Sequence, residues 1–597
     1  MEANDGIINI VMKKQLSDGY NGTLKLSDNQ GYYNNPGAGA NFNFRKNKLA
    51  INTGINAGSF KDQEKYALSN GNDEFRNETF GSSTDPNLNF GVNISADYSL
   101  TKRQSLGMTY NFRFNKSYNS LLEVDNYSSG ILDNRTTNKE NALTRNHSAN
   151  LNYEIKTDSL GSKLSANISF LKYERKMNST NESAPAGGGI PSIFHQSVPQ
   201  YIDNVGALLD YVHKTKGKTT WMFGGSYNNT KTDNDTNQDM ISENGYVNNE
   251  ARSNHFVYEE NIIGLYATLE LTMNEKFSTK VGTRFENTNS EGRVLDKAIG
   301  FKRNYNNILP YLNVNYSINE DNSLTYSFSS RVRRPTFWEL NPIRRYFTPN
   351  NYLQNNPFVL ASKNYNQELN YMFKNAYYAI VQYQIVKDAS GQIPMQGIQI
   401  NNATMEETRF LRYIRTNYGN KEELSLSLGM NKSWFDGIWS ANYMAALEYD
   451  SFKGTVTSDP TYLPEEGITE TLFPYSVDNA NTNLFLQINN NIRLTSKKDL
   501  FLGINYWYLS PKQIELGKLA TLQSLDVNVK KIWKSWTFMV EIEDILRTNV
   551  EKITGEQSDG YYNNVENDDF NRQMNVRVTY NFGNQKLKKA REMDAIN

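Results

Sequence analysis

Hydrophobic and polar residues alternate along most of this chain of 597 residues. As one example, Leu324, Tyr326, Phe328 and Val332 occupy even positions, and the odd positions between 325 and 331 are polar. Successive side chains of a β-strand point to opposite faces, so this pattern predicts a strand with one apolar face and one polar face. The same alternation recurs at residues 263–270, 424–430 and 484–488.

The predicted strands are joined alternately by short turns and by long polar stretches. The short turns begin near residues 45, 99, 156, 213, 272, 318, 373, 433, 494 and 531. The long stretches, rich in Asn, Asp, Ser, Gly and Tyr, cover residues 59–85, 115–143, 175–203, 231–253, 333–362, 388–407, 450–480 and 546–570. Membrane barrels have short periplasmic turns and long extracellular loops. The rhythm therefore predicts an all-β fold, a transmembrane antiparallel up-and-down β-barrel.

The strand count and the tryptophans agree with that fold. Taking residues 408–431 as one long strand gives about 22 strands, an even number that places both barrel ends in the periplasm. Aromatic residues collect at membrane interfaces. Five tryptophans lie at or beside the predicted short turns, namely Trp221, Trp434, Trp439, Trp533 and Trp536. Packing at strand ends in any β protein is the other explanation for these rings.

The composition excludes several other classes of protein. The chain has 63 basic and 64 acidic residues, so its charge gives no case for a nucleic-acid partner. The absence of Cys excludes disulfides and thiolate metal sites. The mean hydropathy is −0.68, which suits a barrel because only alternate residues meet lipid. Residues 1–14 lack the pattern of a secretory signal, so we expect a further segment upstream.

Charged residues on the polar faces predict the lining of the barrel. An arginine facing lipid at the bilayer midplane costs about 2 to 4 kcal/mol, so these side chains should face the lumen. One explanation is that they are solvated pore residues, and the other is that they contact a plug domain inside the barrel. The predicted lumen residues are Arg113, Arg284, Glu286, Arg331, Arg333 and Arg577.

The sequence carries no motif of a known enzyme chemistry, and we predict neither catalytic residues nor a cofactor. It has no GxSxG, HExxH or P-loop motif, and its four histidines are scattered. The segment from Asp233 to Asp239 spaces its oxygens like a calcium loop but lacks the glycine and the terminal glutamate of an EF-hand. Ordinary Asn- and Asp-rich loop chemistry explains those residues.

Several stretches resemble one known family, the TonB-dependent outer-membrane transporters of Bacteroidota, in the outer-membrane β-barrel branch. GIINIVMKK at 6–14 is similar to the last strand of a plug, although Met12 stands where Thr is more usual. ENIIGLYATLE at 260 and FSTKVGTRFENT at 277 resemble paired mid-barrel strands. SFSSRVRRPTFWELNPIRRYFTPNN, from 327, resembles the most recognisable segment of the family, and VRVTYNFGNQKLKKAR at 576 is also family-like.

The resemblance implies a domain plan and a set of partners. Residues 1–14 would be a plug remnant, 15–583 the barrel and 584–597 a basic periplasmic tail. The last strand, with Val578, Tyr580 and Phe582 on one face, resembles the signal read by the barrel-assembly machinery. Further expected partners are outer-membrane lipid, a plug domain, TonB acting through that plug, and a small solute.

One predicted loop combines aromatic and basic side chains, which suits contact with a solute. Structural packing within the loop explains the same composition equally well. The residues are Phe337, Trp338, Arg344, Arg345, Tyr346 and Tyr352. The leading hypothesis is thus uptake of a siderophore, glycan, peptide or vitamin across the outer membrane of a Gram-negative bacterium. The alternatives are a passive unplugged pore and a surface or secreted all-β adhesin.

Overall fold

The computed structural model describes residues 18–242, 245–250, 252–295, 297, 299–342, 344–348, 351–461, 467–556 and 560–584. Within this part of the chain there are 30 strands and one helical turn. No helix among these residues is long and apolar enough to cross a membrane. The predicted plug remnant at 1–14, and all but the first residue of the predicted basic tail, lie outside the described residues.

Twenty-two strands in the described part of the chain form one closed antiparallel barrel. They are β1 (Gly19–Gln30), β2 (Asn34–Lys46), β3 (Leu49–Gly71), β4 (Arg76–Ser99), β5 (Gln104–Ser128), β6 (Ile131–Lys156), β7 (Lys163–Pro185), β8 (Ser192–Lys214), β9 (Thr219–Ser242), β11 (Asn254–Thr272), β12 (Phe277–Val294), β13 (Ile299–Ser317), β14 (Asn322–Arg333), β17 (Ser362–Phe373), β18 (Tyr377–Asn401), β19 (Glu407–Trp434), β20 (Trp439–Val456), β22 (Tyr475–Arg493), β23 (Leu500–Leu509), β26 (Leu522–Trp533), β27 (Trp536–Glu543) and β30 (Gln573–Gly583).

The remaining elements lie in the longer connections. They are β10 (Gly245–Asn248), the helical turn α1 (Phe337–Leu340), β15 (Arg344–Thr348), β16 (Asn351–Gln354), β21 (Ile468–Leu472), β24 (Lys512–Ile514), β25 (Gly517–Leu519), β28 (Glu551–Glu556) and β29 (Tyr562–Asp568).

The barrel closes where the first strand pairs with the last. β1 and β30 run antiparallel, with Leu24 opposite Tyr580 and Leu26 opposite Val578. The predicted count of about 22 strands is confirmed, and so is the single long strand at 408–431, which is β19. Closure leaves no open edge between the first and last strands, as a lipid environment requires.

Apolar side chains face outward over the lower part of the wall. Leu424, Leu426 and Leu428 on β19 are 46%, 43% and 53% exposed. The opposite face is polar, as where Ser95 and Thr109 face each other across the β4–β5 ladder. Of the predicted tryptophans, Trp434 and Trp439 flank one short turn, and Trp533 and Trp536 flank another. The apolar residues of the alternating pattern therefore form the lipid-facing belt of the barrel.

Aromatic side chains pack over glycines on the inner wall. Tyr378 on β18 lies directly opposite Gly429 on β19, and its ring occupies the space that a Cβ at Gly429 would need. Tyr66 and Gly81 form the same arrangement between β3 and β4. A glycine here accommodates a bulky neighbour that fills the missing side-chain volume.

The prediction that 59–85, 115–143, 175–203, 231–253 and 388–407 are long loops is wrong. These segments are mostly paired strands, and the first of them turns only between Gly71 and Arg76. Above the lipid belt neither face of a strand needs to be apolar, so the alternation disappears although the backbone ladder continues. Strand β5, for example, continues to Ser128, well beyond its apolar outward positions.

A β-bulge on β5 marks the change from belt to extension. Ser117 pairs with Asn87, but Leu121 pairs with Thr84, so β5 has one residue more than β4 between these pairs. Asn119, inside the bulge, has φ of 52°. Because side chains alternate, one extra residue moves the following residues to the other face. Leu122 and Val124 consequently face inward, opposite Ser83 and Gly81.

The buried core lies inside the end of the barrel that has the long connections. The upper part of the β18–β19 hairpin has buried residues on both faces, and Ile393, Ile414 and Tyr418 pack there with Phe452. A second cluster joins Phe256 and Tyr258 on β11 to Leu340 and Val359. We call this end the mouth. It is filled by folded protein, whereas the belt below it is a single wall.

Candidate ligand-binding vestibule

The connection from β14 to β17, residues 334–361, folds into the mouth, and we call it the mouth strap. It begins with the helical turn α1. The Glu339 carboxylate accepts hydrogen bonds from the Thr336 backbone N–H at 2.7 Å and from the Thr336 hydroxyl at 3.1 Å. This is a capping-box arrangement, which ties down the first turn of a helix. Arg333 also pairs with Glu339, at 2.9 Å.

A buried ion cluster fixes the strap to β12. The Glu286 carboxylate forms ion pairs with the Arg334 guanidinium at 2.5 Å and with the Arg284 guanidinium at 2.6 Å. Arg334 also donates to the Thr288 hydroxyl at 2.9 Å. The side chains of Glu286 and Arg334 are 7% and 11% exposed. Charge-assisted hydrogen bonds of this kind are short and strong, so they hold the strap against the wall.

The strap then reaches distant parts of the wall. The Asn341 side-chain amide donates to Asn234 on β9 at 3.0 Å, and the Asn351 amide donates to Thr79 on β4 at 2.9 Å. In the barrel, β4 is nine strands away from β14, nearly the opposite side. Strand β16 of the strap adds in parallel to β19, with Asn351 opposite Leu411. The strap therefore crosses the mouth.

Arg412 on β19 forms a second buried ionic centre below the strap. Its side chain is 0% exposed and contacts Asp459 at 2.9 Å and Glu470 at 3.3 Å. It also donates to the side-chain oxygen of Gln354, in the strap, at 2.9 Å. Arg344 of the strap pairs with the same Glu470 at 3.4 Å. A buried arginine needs such partners, because an uncompensated buried charge is strongly destabilising.

A cavity of about 640 Å³ lies beside the strap, within the size range of small-molecule sites. The inner faces of β3–β7 form one side of it. The strap contributes Arg345, the β18–β19 hairpin contributes Tyr413, and the loops near the seam contribute Leu516 and Ile553. A smaller chamber of about 50 Å³ shares Arg345 with this cavity. We call the two together the vestibule cavity.

The vestibule cavity carries charges of both signs. Its titratable groups include Glu64, Asp85, Glu140, Arg175, Arg345 and Glu551. Arg175 and Glu140 pair at 3.2 Å. Burial raises the pKa of the Glu64 carboxyl, and nearby Asp569 adds to the rise, while the positive charge of Arg345 opposes it. Charged and polar groups thus converge on one cavity, which is typical of a binding site.

The predicted ligand-loop residues are divided between packing and cavity. Phe337 stacks near Phe256, with ring centroids 5.9 Å apart, and Tyr352 is 1% exposed against Phe410. Those contacts, and the ion pair of Arg344, agree with the explanation that these residues pack within the loop. Arg345 alone among the described side chains of this set lines the vestibule cavity. The side chains of Trp338 and Tyr346 lie outside the described part.

The predicted lumen residues lie on the inner wall at different heights. Arg113 and Arg577 are exposed in the belt, and Arg577 lies opposite Ser27 across the seam. Arg331 is half-buried opposite Asn364. Arg284, Glu286 and Arg333 all contribute to holding the strap. Whether any of them also contacts a plug stays a prediction.

The positions of Tyr580, Phe582 and Val332 bear on the predicted lipid-facing surface of the barrel. Tyr580 packs on Trp536, with ring centroids 4.7 Å apart, and Phe582 stacks beside Tyr580. The apolar face of β30, which includes Val578, therefore continues the outer belt across the seam. Val332 on β14, predicted to share the lipid face, is instead 2% exposed, and it lies beyond the last β13–β14 pair at Ser329.

The structure reveals ionic contacts in the mouth that the sequence does not indicate. Arg412 lies within a stretch that we treated as one strand, and Glu470 within a predicted loop. Neither residue has a neighbour in sequence that would mark it as part of an ion cluster. The wall of the vestibule cavity was hidden for a different reason, since residues 59–85 and 115–143 were expected to be loops. The Asn, Ser and Thr content that is common to β3–β7 is the sequence signal that could identify these segments as one wall.

These observations define a class of protein. A closed barrel with an outward apolar belt, aromatic residues at the turns and a folded mouth is a transmembrane barrel of the outer membrane of Gram-negative bacteria. The chain belongs to the outer membrane protein beta-barrel family, whose model matches residues 155–580. None of the curated proteins matches the chain in sequence.

Solved structures share the whole fold at low sequence identity. The siderophore receptor PiuA of Acinetobacter baumannii has a TM-score of 0.62 and 12% identity, with 96% of this chain and 82% of that chain covered. The ferric yersiniabactin uptake receptor FyuA of Yersinia pestis has a TM-score of 0.59 and 11% identity, covering 96% and 81%. The ferripyoverdine receptor of Pseudomonas aeruginosa has a TM-score of 0.59 and 9% identity, covering 96% and 73%.

Proposed function

We propose that this chain is the barrel of a TonB-dependent transporter, which captures a scarce solute at the mouth and passes it through the lumen. The observation that carries the proposal is the vestibule cavity held under a fixed strap. A mouth that is filled and lined with convergent polar groups suits capture of a specific solute better than free diffusion. The shared fold with uptake receptors for iron chelates supports transport as the activity.

The alternatives explain less of the molecule. A passive pore needs a continuous wide path, yet the strap spans the mouth from β12 to β4. A secreted adhesin has no use for an outward apolar belt. An enzyme needs a catalytic group, and we propose none for this chain.

The proposal includes partners that follow from the family resemblance. A plug domain in the lumen would contact inner-wall groups such as Arg113 and Arg577, and TonB would act through that plug. The barrel-assembly machinery would recognise the terminal strand through Val578, Tyr580 and Phe582. Lipid of the outer membrane contacts the belt. The periplasmic assignment of residues 584–597 rests on the same resemblance.

Uptake by cells tests the proposal. Cells with and without the gene are given radiolabelled ferric enterobactin, a maltooligosaccharide, cyanocobalamin or a tripeptide, each with and without a protonophore. We expect gene-dependent accumulation of one of these solutes that the protonophore abolishes, because transport through TonB requires the energised inner membrane. Gene-dependent accumulation that survives the protonophore would show a passive pore. Absence of gene-dependent accumulation of all four would overturn the proposal.

A further inference from the structure

We infer that the vestibule cavity binds a short zwitterionic peptide, with the peptide carboxylate at Arg345 and Arg175 and its ammonium group at Glu64 and Asp85. The inference rests on the proposed function, because it names the class of solute that the vestibule would capture. It depends on three features of the cavity: its charged groups of both signs, its hydrogen-bonding wall and its small apolar chamber.

Two arginines from different elements line the cavity. Arg345 projects from the strap and is exposed, and it forms no ion pair or hydrogen bond within the described part of the chain. Arg175 on β7 forms an ion pair with Glu140 at 3.2 Å and also lines the cavity. A guanidinium presents a planar fork of donors that matches a carboxylate. Arg345 is therefore available to receive a terminal carboxylate.

Two carboxylates of the cavity, Glu64 and Asp85, lie on β3 and β4. Glu64 accepts a hydrogen bond from the Ser83 hydroxyl at 3.3 Å, and Asp85 accepts one from the Ser117 hydroxyl at 2.5 Å. Neither carboxylate is joined to Lys or Arg by an ion pair within 4.0 Å in the described part of the chain. Burial and the neighbouring Asp569 carboxylate raise the pKa of Glu64, while hydrogen bonds from Ser83 and Asn567 and the charge of Arg345 oppose that rise. A ligand ammonium would relieve the repulsion from Asp569.

The wall between the charged groups is lined by amide and hydroxyl side chains. Asn115, Ser120, Asn138 and Asn567 offer both donors and acceptors, as a peptide backbone requires. The smaller chamber adds Met177, Phe194 and Val198, which suit an apolar side chain. Of the two tyrosines that line the main cavity, Tyr413 is 3% exposed and presents no open ring face to a sugar.

Calorimetric titration of the purified protein in detergent tests the inference with named probes. The probe is the tripeptide Ala-Leu-Ala, compared with its N-acetyl form, which lacks the ammonium group, and its C-terminal amide, which lacks the carboxylate. We expect the free tripeptide to bind at least about tenfold more tightly than either capped form, because each cap removes a charge-assisted contact.

Two variants assign the ends of the peptide. Arg345→Gln should abolish the preference for the free carboxylate over the amide, while leaving the preference for the free amine. A double variant, Glu64→Gln with Asp85→Asn, should do the reverse. The matched control is Arg135→Gln, an arginine with a 69% exposed side chain outside the cavity, which should leave all three affinities unchanged. Heat-modifiable gel migration checks that each variant is folded.

The outcomes separate this inference from the proposed function. Equal affinity for the free and capped tripeptides, no binding of any of them, or no effect of Arg345→Gln would overturn the peptide assignment. Protonophore-sensitive uptake of ferric enterobactin without tripeptide binding would leave the transporter proposal standing and reject the peptide. Tripeptide binding without energised uptake would support the site and reject the transporter.

Discussion

The ion cluster at Glu286 should determine whether the mouth strap stays closed, and the variant Glu286→Gln tests this. The substitution keeps the size of the side chain but removes the charge that two arginines share, at 2.5 Å and 2.6 Å. Breaking a buried ion pair by neutralising one partner costs about 3 to 5 kcal/mol. At about 1.4 kcal/mol per factor of ten, opening of the strap should become on the order of 100- to 4,000-fold more frequent.

Hydrogen exchange measures this opening directly. The backbone N–H groups of Glu339 and Leu340 donate to the Thr336 carbonyl, and that of Asn341 donates to the Phe337 carbonyl. These bonds exist only while the start of the strap is folded, so their protection factors report its local stability. We expect protection at these three amides to fall by the factor given above, with barrel strands such as β12 unchanged.

Glu291→Gln is the matched control. Glu291 lies on the same strand, with a side chain 35% exposed, and contacts Arg293 at 3.6 Å and Lys302 at 3.2 Å. Exposed pairs contribute little, so protection of the strap should change by the equivalent of about 0.5 kcal/mol or less. Unchanged protection in Glu286→Gln, or an equal loss in both variants, would refute the role of this cluster.

Three further substitutions test other parts of the structure. Arg412→Met should destabilise the mouth by about 3 to 5 kcal/mol, because it leaves Asp459 without its counter-charge and Glu470 with Arg344 alone. Limited proteolysis of residues 457–474 should accelerate while heat-modifiable migration persists. Val540→Arg, in the lipid belt, should reduce the free energy of unfolding in vesicles by about 2 to 4 kcal/mol, whereas Met539→Arg, on the inner face, should have a much smaller effect. Gly429→Val should cost about 1 to 3 kcal/mol by displacing the Tyr378 ring, and adding Tyr378→Ala should restore part of that loss.

The sequence predicts the belt well because lipid imposes a strict rule on it. Every second residue of a wall strand must be apolar, as at Leu424, Leu426 and Leu428, so strands and short turns can be recognised from the pattern alone. The count of 22 strands and the flanking pairs of tryptophans follow from the same rule. No such rule operates above the membrane, and there the strand extensions resembled loops.

The candidate site was only partly predictable for a related reason. Arg345 was singled out by the aromatic and basic composition of its loop, and it does line the vestibule cavity. Its partners in that cavity, such as Glu64 and Arg175, lie more than a hundred residues away from it in sequence. Contacts of that range depend on which strands become neighbours and on how the strap crosses the mouth. A single sequence without an alignment contains no direct signal for either.

The bulge in β5 has a consequence for how this barrel can change over generations. One extra residue near Asn119 determines which side chains of the upper part of β5 point into the barrel. The lower part of the strand keeps its apolar residues toward the lipid. Deletion of that residue would exchange the inner and outer faces of the whole extension in a single event. A one-residue insertion or deletion at such a point exchanges the inward-facing and outward-facing side chains of the strand beyond it. Such changes offer a lineage new interior surfaces without a single substitution in the membrane wall.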